Sequence, residues 1–275
     1  MENLVPVLKW VGGKRQLMDS LIPLLPKKIG TYCEPFLGGG AMLFKLAPRV
    51  AIASDINAEL MRVYKVIKED VDALIKELEG YENTKSAYYA VRNIDRDATR
   101  YEELPDVTKA SRVIFMNKTC YNGLYRVNSS GNFNAPYGFY PNPNIVNEVA
   151  LRTLSAYLNS CDVTLRCQGY EKTLACLPEG SFAYLDPPYD PVSESANFTS
   201  YSRDKFSRED QVNLKLCCDR LHECGHKFML SNSATNFIKE LYAGYNITIV
   251  KANRYVNVDS SKRGKVDEVV VRNYE

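Results

Sequence analysis

The chain has 275 residues, 45% of them hydrophobic, and a formal net charge of +2. That length suits one large domain or one domain with an insertion, and so small a charge argues for no nucleic-acid partner by itself: any basic surface must be local. Eight cysteines without a C-x-x-C pair and only two histidines speak against zinc; His222 and His226 are four apart on an expected helix, but the Glu of H-E-x-x-H is absent. No secretory leader or long apolar run stands out, so the expectation is a reduced, soluble, cytoplasmic protein without a membrane span.

In chain order, a short apolar run at Val5 to Leu8 leads into Lys9-Trp10-Val11-Gly12-Gly13-Lys14. The paired glycines mark a tight turn where backbone can approach a ligand. It is not a P-loop, because G-x-x-x-x-G-K-[ST] is missing. Gln16 to Leu25 reads as a helix ended by Pro26. A strand then closes on Glu34, followed by Pro35-Phe36-Leu37-Gly38-Gly39-Gly40 and a helix from Ala41 to Leu46. A glycine turn between strand and helix binds ligands in doubly wound folds. Here G-x-G-x-x-G is incomplete, and Glu34 would face a dinucleotide's diphosphate, so a cationic or zwitterionic ligand suits the turn better than NAD.

Val50 to Ser54 reads as the second strand and Asp55 ends it, placed either to bind ribose hydroxyls or to cap the helix that follows. That helix has apolar positions Ile56, Leu60, Val63, Ile67, Val71, Leu74 and Leu78, three and four apart. Composition changes near Tyr81. Val107 to Asn147 has no acid but holds Lys109, Arg112, Lys118, Arg126, eight asparagines, four tyrosines and three phenylalanines. Such a mixture suits phosphate contacts, base-edge hydrogen bonds and stacking. Lys109 to Lys118 reads as helical. Asn117 to Tyr140 reads as loops and a hairpin, with a turn at Ser129-Ser130-Gly131-Asn132.

Val163 to Cys167 is a further strand. Phe182 to Leu185 is a short apolar run of the kind buried at the centre of a sheet, and Asp186-Pro187-Pro188-Tyr189 stops it. Ligands of open α/β sheets bind beyond the carboxyl ends of strands. A carboxylate and a proline carbonyl are pure acceptors, able to take both hydrogens of a planar amino group, and Tyr189 offers a face on which a heteroaromatic ring can stack. The bland reading is a strand, a cap and a loop. The polar loop 193–206 is a candidate lid. Ser207 is an expected N-cap, with a helix to about Cys224. Lys227 to Leu230 is another buried strand. Ile247 to Val250 and Glu268 to Val271 form an expected hairpin around a loop with Arg254, Lys262, Arg263 and Lys265, which either touches phosphates or is simply solvated.

Four motifs in this order, Lys9-Trp10-Val11-Gly12-Gly13-Lys14, Glu34 to Gly40, Asp55-Ile56-Asn57 and Asp186-Pro187-Pro188-Tyr189, resemble the Dam-type (D12 class) DNA adenine-N6 methyltransferases, nearest to the GATC-specific members, including those paired with restriction systems. The resemblance runs nearly the whole chain. It implies a Rossmann-like α/β sheet binding S-adenosylmethionine (SAM), residues 1–60 and 148–275, with a mainly helical target-recognition domain inserted at 61–147. It implies that Trp10, Lys14, Glu34, Pro35, Phe36, Gly38, Gly40, Asp55 and Asp186 line the cofactor site. Lys9, Asn117, Tyr121, Asn122, Leu124, Arg126, Asn134, Pro136 and Tyr140 match the DNA-reading set. The implied partner is double-stranded DNA, with no metal, and the chain is expected to be monomeric. Asp186, Pro187 and Tyr189 would grip an adenine turned out of the duplex, since an amino group inside the stack is out of reach. Rival readings are methylation of cytosine, RNA or a protein glutamine, a non-catalytic DNA-binding protein on the same scaffold, and, weakest, an NAD-dependent oxidoreductase.

Overall fold

The computed structural model describes residues 4–191, 206–253 and 265–275. Its centre is the run Phe182–Leu185, buried at every position. That run is β4 of a seven-stranded sheet made with β1 (Tyr32–Glu34), β2 (Val50–Asp55), β3 (Asp162–Cys167), β5 (Lys227–Ser233), β6 (Asn246–Asn253) and β7 (Lys265–Arg272). The order is β3-β2-β1-β4-β5-β7-β6. Strands β1 to β5 pair in parallel, and β7 runs antiparallel to both β5 and β6. The expected hairpin is therefore present, with its second strand inserted next to β5. The strand order reverses between β1 and β4, the crevice where ligands of open α/β sheets bind.

Eleven helices are described: α1 (Met18–Leu21), α2 (Ala41–Leu46), α3 (Ala58–Glu69), α4 (Val71–Glu79), α5 (Lys85–Arg92), α6 (Ala98–Glu103), α7 (Asp106–Thr119), α8 (Glu148–Ser160), α9 (Tyr170–Leu174), α10 (Arg208–Glu223) and α11 (Asn236–Leu241). The strand alternation sorts side chains to two faces. Tyr32, Ala51, Ala53, Tyr184 and Met229 pack in one apolar cluster with α2, α3, α4 and α8. Cys33, Ile52, Ala183, Leu185 and Leu230 pack in another with α9 and α10. This is a Rossmann-like sheet with helices on both faces. No helix among the described residues is long and apolar enough to cross a membrane.

A third, smaller cluster lies apart: Tyr88, Val91, Phe115, Met116, Cys120, Phe133, Ala135 and Tyr137. Helix α7 belongs to both cores, giving Ala110, Val113 and Ile114 to the sheet side and Phe115 and Met116 to the small one. It is buried from Lys109 through Asn117.

Three expectations need correction. Gln16 to Leu25 is not one helix: two 3-10 turns flank the four-residue α1, and Pro23, with no N–H to give, falls in the second turn. The helix read from Ile56 to Leu78 is two, because Asp70 leaves helical geometry (φ −151°) and its side chain caps α4 through Ala73 N. Ile56 itself is 77% exposed and joins no core. The lid residues 193–205, Arg254, Lys262, Arg263 and the side chain of Lys265 lie outside the described residues.

Candidate active site

Strands β1 and β4 meet at the switch point, and each delivers an acid to its carboxyl end. Glu34 closes β1. Its Oε2 accepts the Tyr32 hydroxyl at 2.7 Å and the Leu43 amide at 2.9 Å. Burial is the largest influence on its carboxyl, and with Asp186 nearby it is pushed up from 4.5 to about 8, against those two hydrogen bonds and the Lys14 charge. Asp186 follows β4. Burial pushes its carboxyl up as well, Lys14 opposes that shift, and Glu268 adds to it.

Lys14 is the cation among these acids. Its ammonium lies 2.7 Å from Asp186 Oδ1 and favours that carboxyl's charged form both by its charge and by hydrogen bonding, against burial. The same ammonium sits 4.7 Å from the centre of the Tyr189 ring and donates to the Gly12 carbonyl at 2.7 Å. Lys14 thus reaches the Asp-Pro-Pro-Tyr turn itself, a connection that no spacing in the sequence reveals.

The glycine turn is held from below. Asp55 accepts the Gly38 amide on Oδ2 and the Asn57 amide on Oδ1, both at 2.9 Å. Asp55 does not cap α3; Asn57 does, through Leu60 N at 3.0 Å. The Tyr64 hydroxyl donates to the Gly38 carbonyl at 2.9 Å. Trp10 covers the turn so closely that a Cβ at Gly38 would stand 2.9 Å from its Cδ1, and its ring also stacks on Tyr125 at 5.1 Å and 23°. Pro35 is buried, and Phe36 stacks on Tyr170. Trp10, Gly38 and Asp55 therefore gather around one turn, while Lys14 pairs with Asp186.

The Asp186-Pro187-Pro188-Tyr189 turn is pinned at several atoms. The Pro188 carbonyl, rather than that of Pro187, accepts Gln211 Nε2 at 2.8 Å. Asn232 Nδ2 donates to Gln211 Oε1 at 3.0 Å, and Asn232 Oδ1 accepts the Asp190 amide at 3.1 Å. The Asp190 carboxylate takes Arg208 at 3.0 Å and Thr235 at 2.7 Å. The Tyr189 hydroxyl donates to Glu268 Oε2 at 2.8 Å. Sequence reasoning missed Gln211, Asn232 and Glu268. Each sits among other polar residues of its helix or strand, indistinguishable from them by sequence, and only the tertiary fold brings it to the turn.

The expected DNA-reading residues surround the 3-10 turn Tyr121–Gly123. Tyr121 is exposed, and Asn122 takes the left-handed conformation at φ 60°. The Asn122 amide donates to the Tyr140 hydroxyl at 2.9 Å, and the Tyr121 amide to the Pro136 carbonyl at 2.8 Å. Arg126 spans the hairpin to Asn134 Oδ1 at 2.7 Å. The hairpin turn falls at Gly131 (φ 82°), as read, although it is framed by the single bridge Val127–Phe133 rather than by long strands.

Asn117 is placed differently from expectation. It is 3% exposed, and its amide binds the Lys9 amide and carbonyl, each at 2.9 Å, and the Gly123 carbonyl at 3.1 Å. It stands behind the surface and fixes exposed Lys9 beside Gly123. Lys109 and Arg112, read as part of a cationic surface, are also buried. Lys109 donates to the Glu102 carbonyl, and Arg112 to the carbonyls of Val91 and Arg92 while pairing with Asp95 at 2.8 Å. Buried charges require such partners.

A family model described as D12 class N6 adenine-specific DNA methyltransferase matches residues 10–256. The chain belongs to that family. Among curated relatives, the Type II methyltransferase M1.LlaDCHI of Lactococcus lactis subsp. cremoris is 43% identical across 99% of this chain and 96% of its own length. The Type II methyltransferase M.MjaIII of Methanocaldococcus jannaschii is 41% identical across 98% and 99%. The DNA adenine methylase of Vibrio cholerae is 31% identical across 96% and 94%. The chain is an adenine-specific DNA methyltransferase, which sets aside the cytosine, non-catalytic and oxidoreductase readings.

Proposed function

We propose that this methyltransferase transfers the methyl group of SAM to the exocyclic amino group of an adenine turned out of double-stranded DNA, within GATC. The observation that carries this is Asp186, held with Tyr189 at the strand-order reversal, its buried carboxylate met by the Lys14 ammonium at 2.7 Å. The donor set fits a cationic, ribose-bearing cofactor. Asp186 stands at the strand end against the Lys14 ammonium, Asp55 holds the glycine turn through the Gly38 amide, and Gly38, with no Cβ, lets Trp10 lie against that turn. Bound there, SAM supplies an electrophilic methyl group.

The chain's own residues do the rest. Asp186 and the Pro187 carbonyl accept the two amino hydrogens, and this grip draws the nitrogen lone pair out of conjugation with the ring. Tyr189 stacks on the base and fixes its plane. Lys14 now rests on both groups, so its ammonium must yield the Asp186 oxygen when the amine arrives. Orientation and preorganised charge supply most of the rate. On the recognition side, Tyr121 and Leu124 fill or distort the vacated stack. Lys9 and Arg126 read base edges, the latter oriented by Asn134. The two cores suggest that the recognition lobe begins near α5, with α3 and α4 belonging to the catalytic body, rather than at residue 61.

The test is labelled-methyl transfer from SAM to otherwise identical duplexes with and without GATC, followed by nucleoside analysis. N6-methyladenine confined to the GATC duplex is expected. Equal labelling of both duplexes would remove the sequence assignment, and label on cytosine would remove the chemistry.

A further inference from the structure

Glu268 lies on β7, its Cα in register with Ser233 on one side and Val250 on the other, so the central sheet fixes its backbone. The residue is only 9% exposed. A carboxylate is costly to bury without donors, and among the described residues it accepts the Tyr189 hydroxyl at 2.8 Å. The chain on either side of Tyr189 is tethered independently: the Pro188 carbonyl to Gln211, and the Asp190 amide to Asn232. Those two tethers fix where the side chain starts. They do not by themselves set χ1 and χ2 of the ring. The hydroxyl bond to Glu268 pins the far end of the ring, which fixes χ1, and because a phenolic O–H prefers the plane of its own ring, the direction toward Glu268 Oε2 also orients that plane about χ2.

We infer that Glu268 is a positioning residue for methyl transfer: by accepting the Tyr189 hydroxyl it sets the plane of the ring on which the target adenine stacks. The inference rests on the adenine-stacking role proposed above for Tyr189. Its consequence is specific. A base held on a ring that can swing still binds, but its amino nitrogen spends less time in line with the methyl group, and small misplacements are expensive in rate. Loss of the anchor should therefore appear in kcat and leave the KM for the cofactor nearly unchanged. It should also act through one atom, the Tyr189 hydroxyl.

The experiment is a double-mutant cycle on the full chain, with kcat and KM measured for a GATC duplex and for SAM, and folding checked by thermal unfolding. Glu268→Ala and Tyr189→Phe are each expected to lower kcat about tenfold with the SAM KM within about twofold, and the double variant to be no slower than Tyr189→Phe alone. Glu268→Gln, which keeps an acceptor oxygen, should stay within about threefold of wild type. Losses that multiply in the double variant, or a wild-type kcat in either single variant, would overturn the inference. If Glu268→Ala does not fold, Tyr189→Phe and Glu268→Gln decide it: the inference fails if Tyr189→Phe turns over at the wild-type rate, or if Glu268→Gln loses as much as Tyr189→Phe. Absence of adenine methylation by the wild-type enzyme would instead count against the proposed function, before any variant is compared.

Discussion

Asp186 adds to the upward push on the Glu34 carboxyl, Glu268 adds to that on Asp186, and the Lys14 ammonium opposes both shifts. For Glu34 this has a measurable effect on stability. Its carboxyl is raised from 4.5 to about 8 in the folded chain, chiefly by burial. Below pH 4.5 both folded and unfolded chains hold the proton. Between 4.5 and 8 the folded chain keeps a proton that the unfolded chain has released, so this group's contribution to stability falls as pH rises through that window. Glu34→Gln retains an acceptor oxygen for Tyr32 and Leu43 without the charge. It is expected to unfold at a higher denaturant concentration than wild type at pH 8, by on the order of a few kcal/mol at most, with the gap closing toward pH 5. A constant gap across that range would show that the buried charge is not the cause.

At the scale of elements, the site depends on how β1 passes into α2. Gly40 is the N-cap of α2 with φ 67°, and a Cβ there would lie 2.6 Å from the Phe44 ring. Gly40→Ala therefore combines left-handed strain with a clash against a buried side chain. It is expected to lower stability by about 1–3 kcal/mol, read as a shift in urea midpoint. This turn was legible in the sequence because glycines between an apolar strand and an apolar helix have few other uses. Strand β4 was legible for a similar reason: four apolar residues ended by two prolines allow little else. Other elements were not. Asp70 divides α3 from α4, yet the apolar spacing runs through it unbroken, since a capping carboxylate looks like any exposed acid. Lys109 and Arg112 counted toward a basic surface by composition, while their buried partners come from α5, α6 and the turn that joins them. Glu268 stayed hidden because its partner is 79 residues away and meets it only when β7 inserts beside β5.

Over the whole molecule, two apolar cores share helix α7, and the N-terminal segment joins them again. Asn117 on α7 grips both polar backbone atoms of Lys9, while five residues further on Lys14 reaches Asp186. Trp10, between them, lies on the glycine turn and stacks on Tyr125 of the hairpin. One stretch of six residues therefore touches α7, the glycine turn and Asp186. This continuity gives a physical route by which the reading of a sequence could bear on the geometry of transfer. The function itself still rests on a single carboxylate. The most direct test is turnover of a GATC duplex by Asp186→Ala, with thermal unfolding confirming the fold. The account predicts an intact, cooperatively unfolding protein whose methyl transfer falls to background. Turnover near the wild-type rate by that folded variant would contradict it.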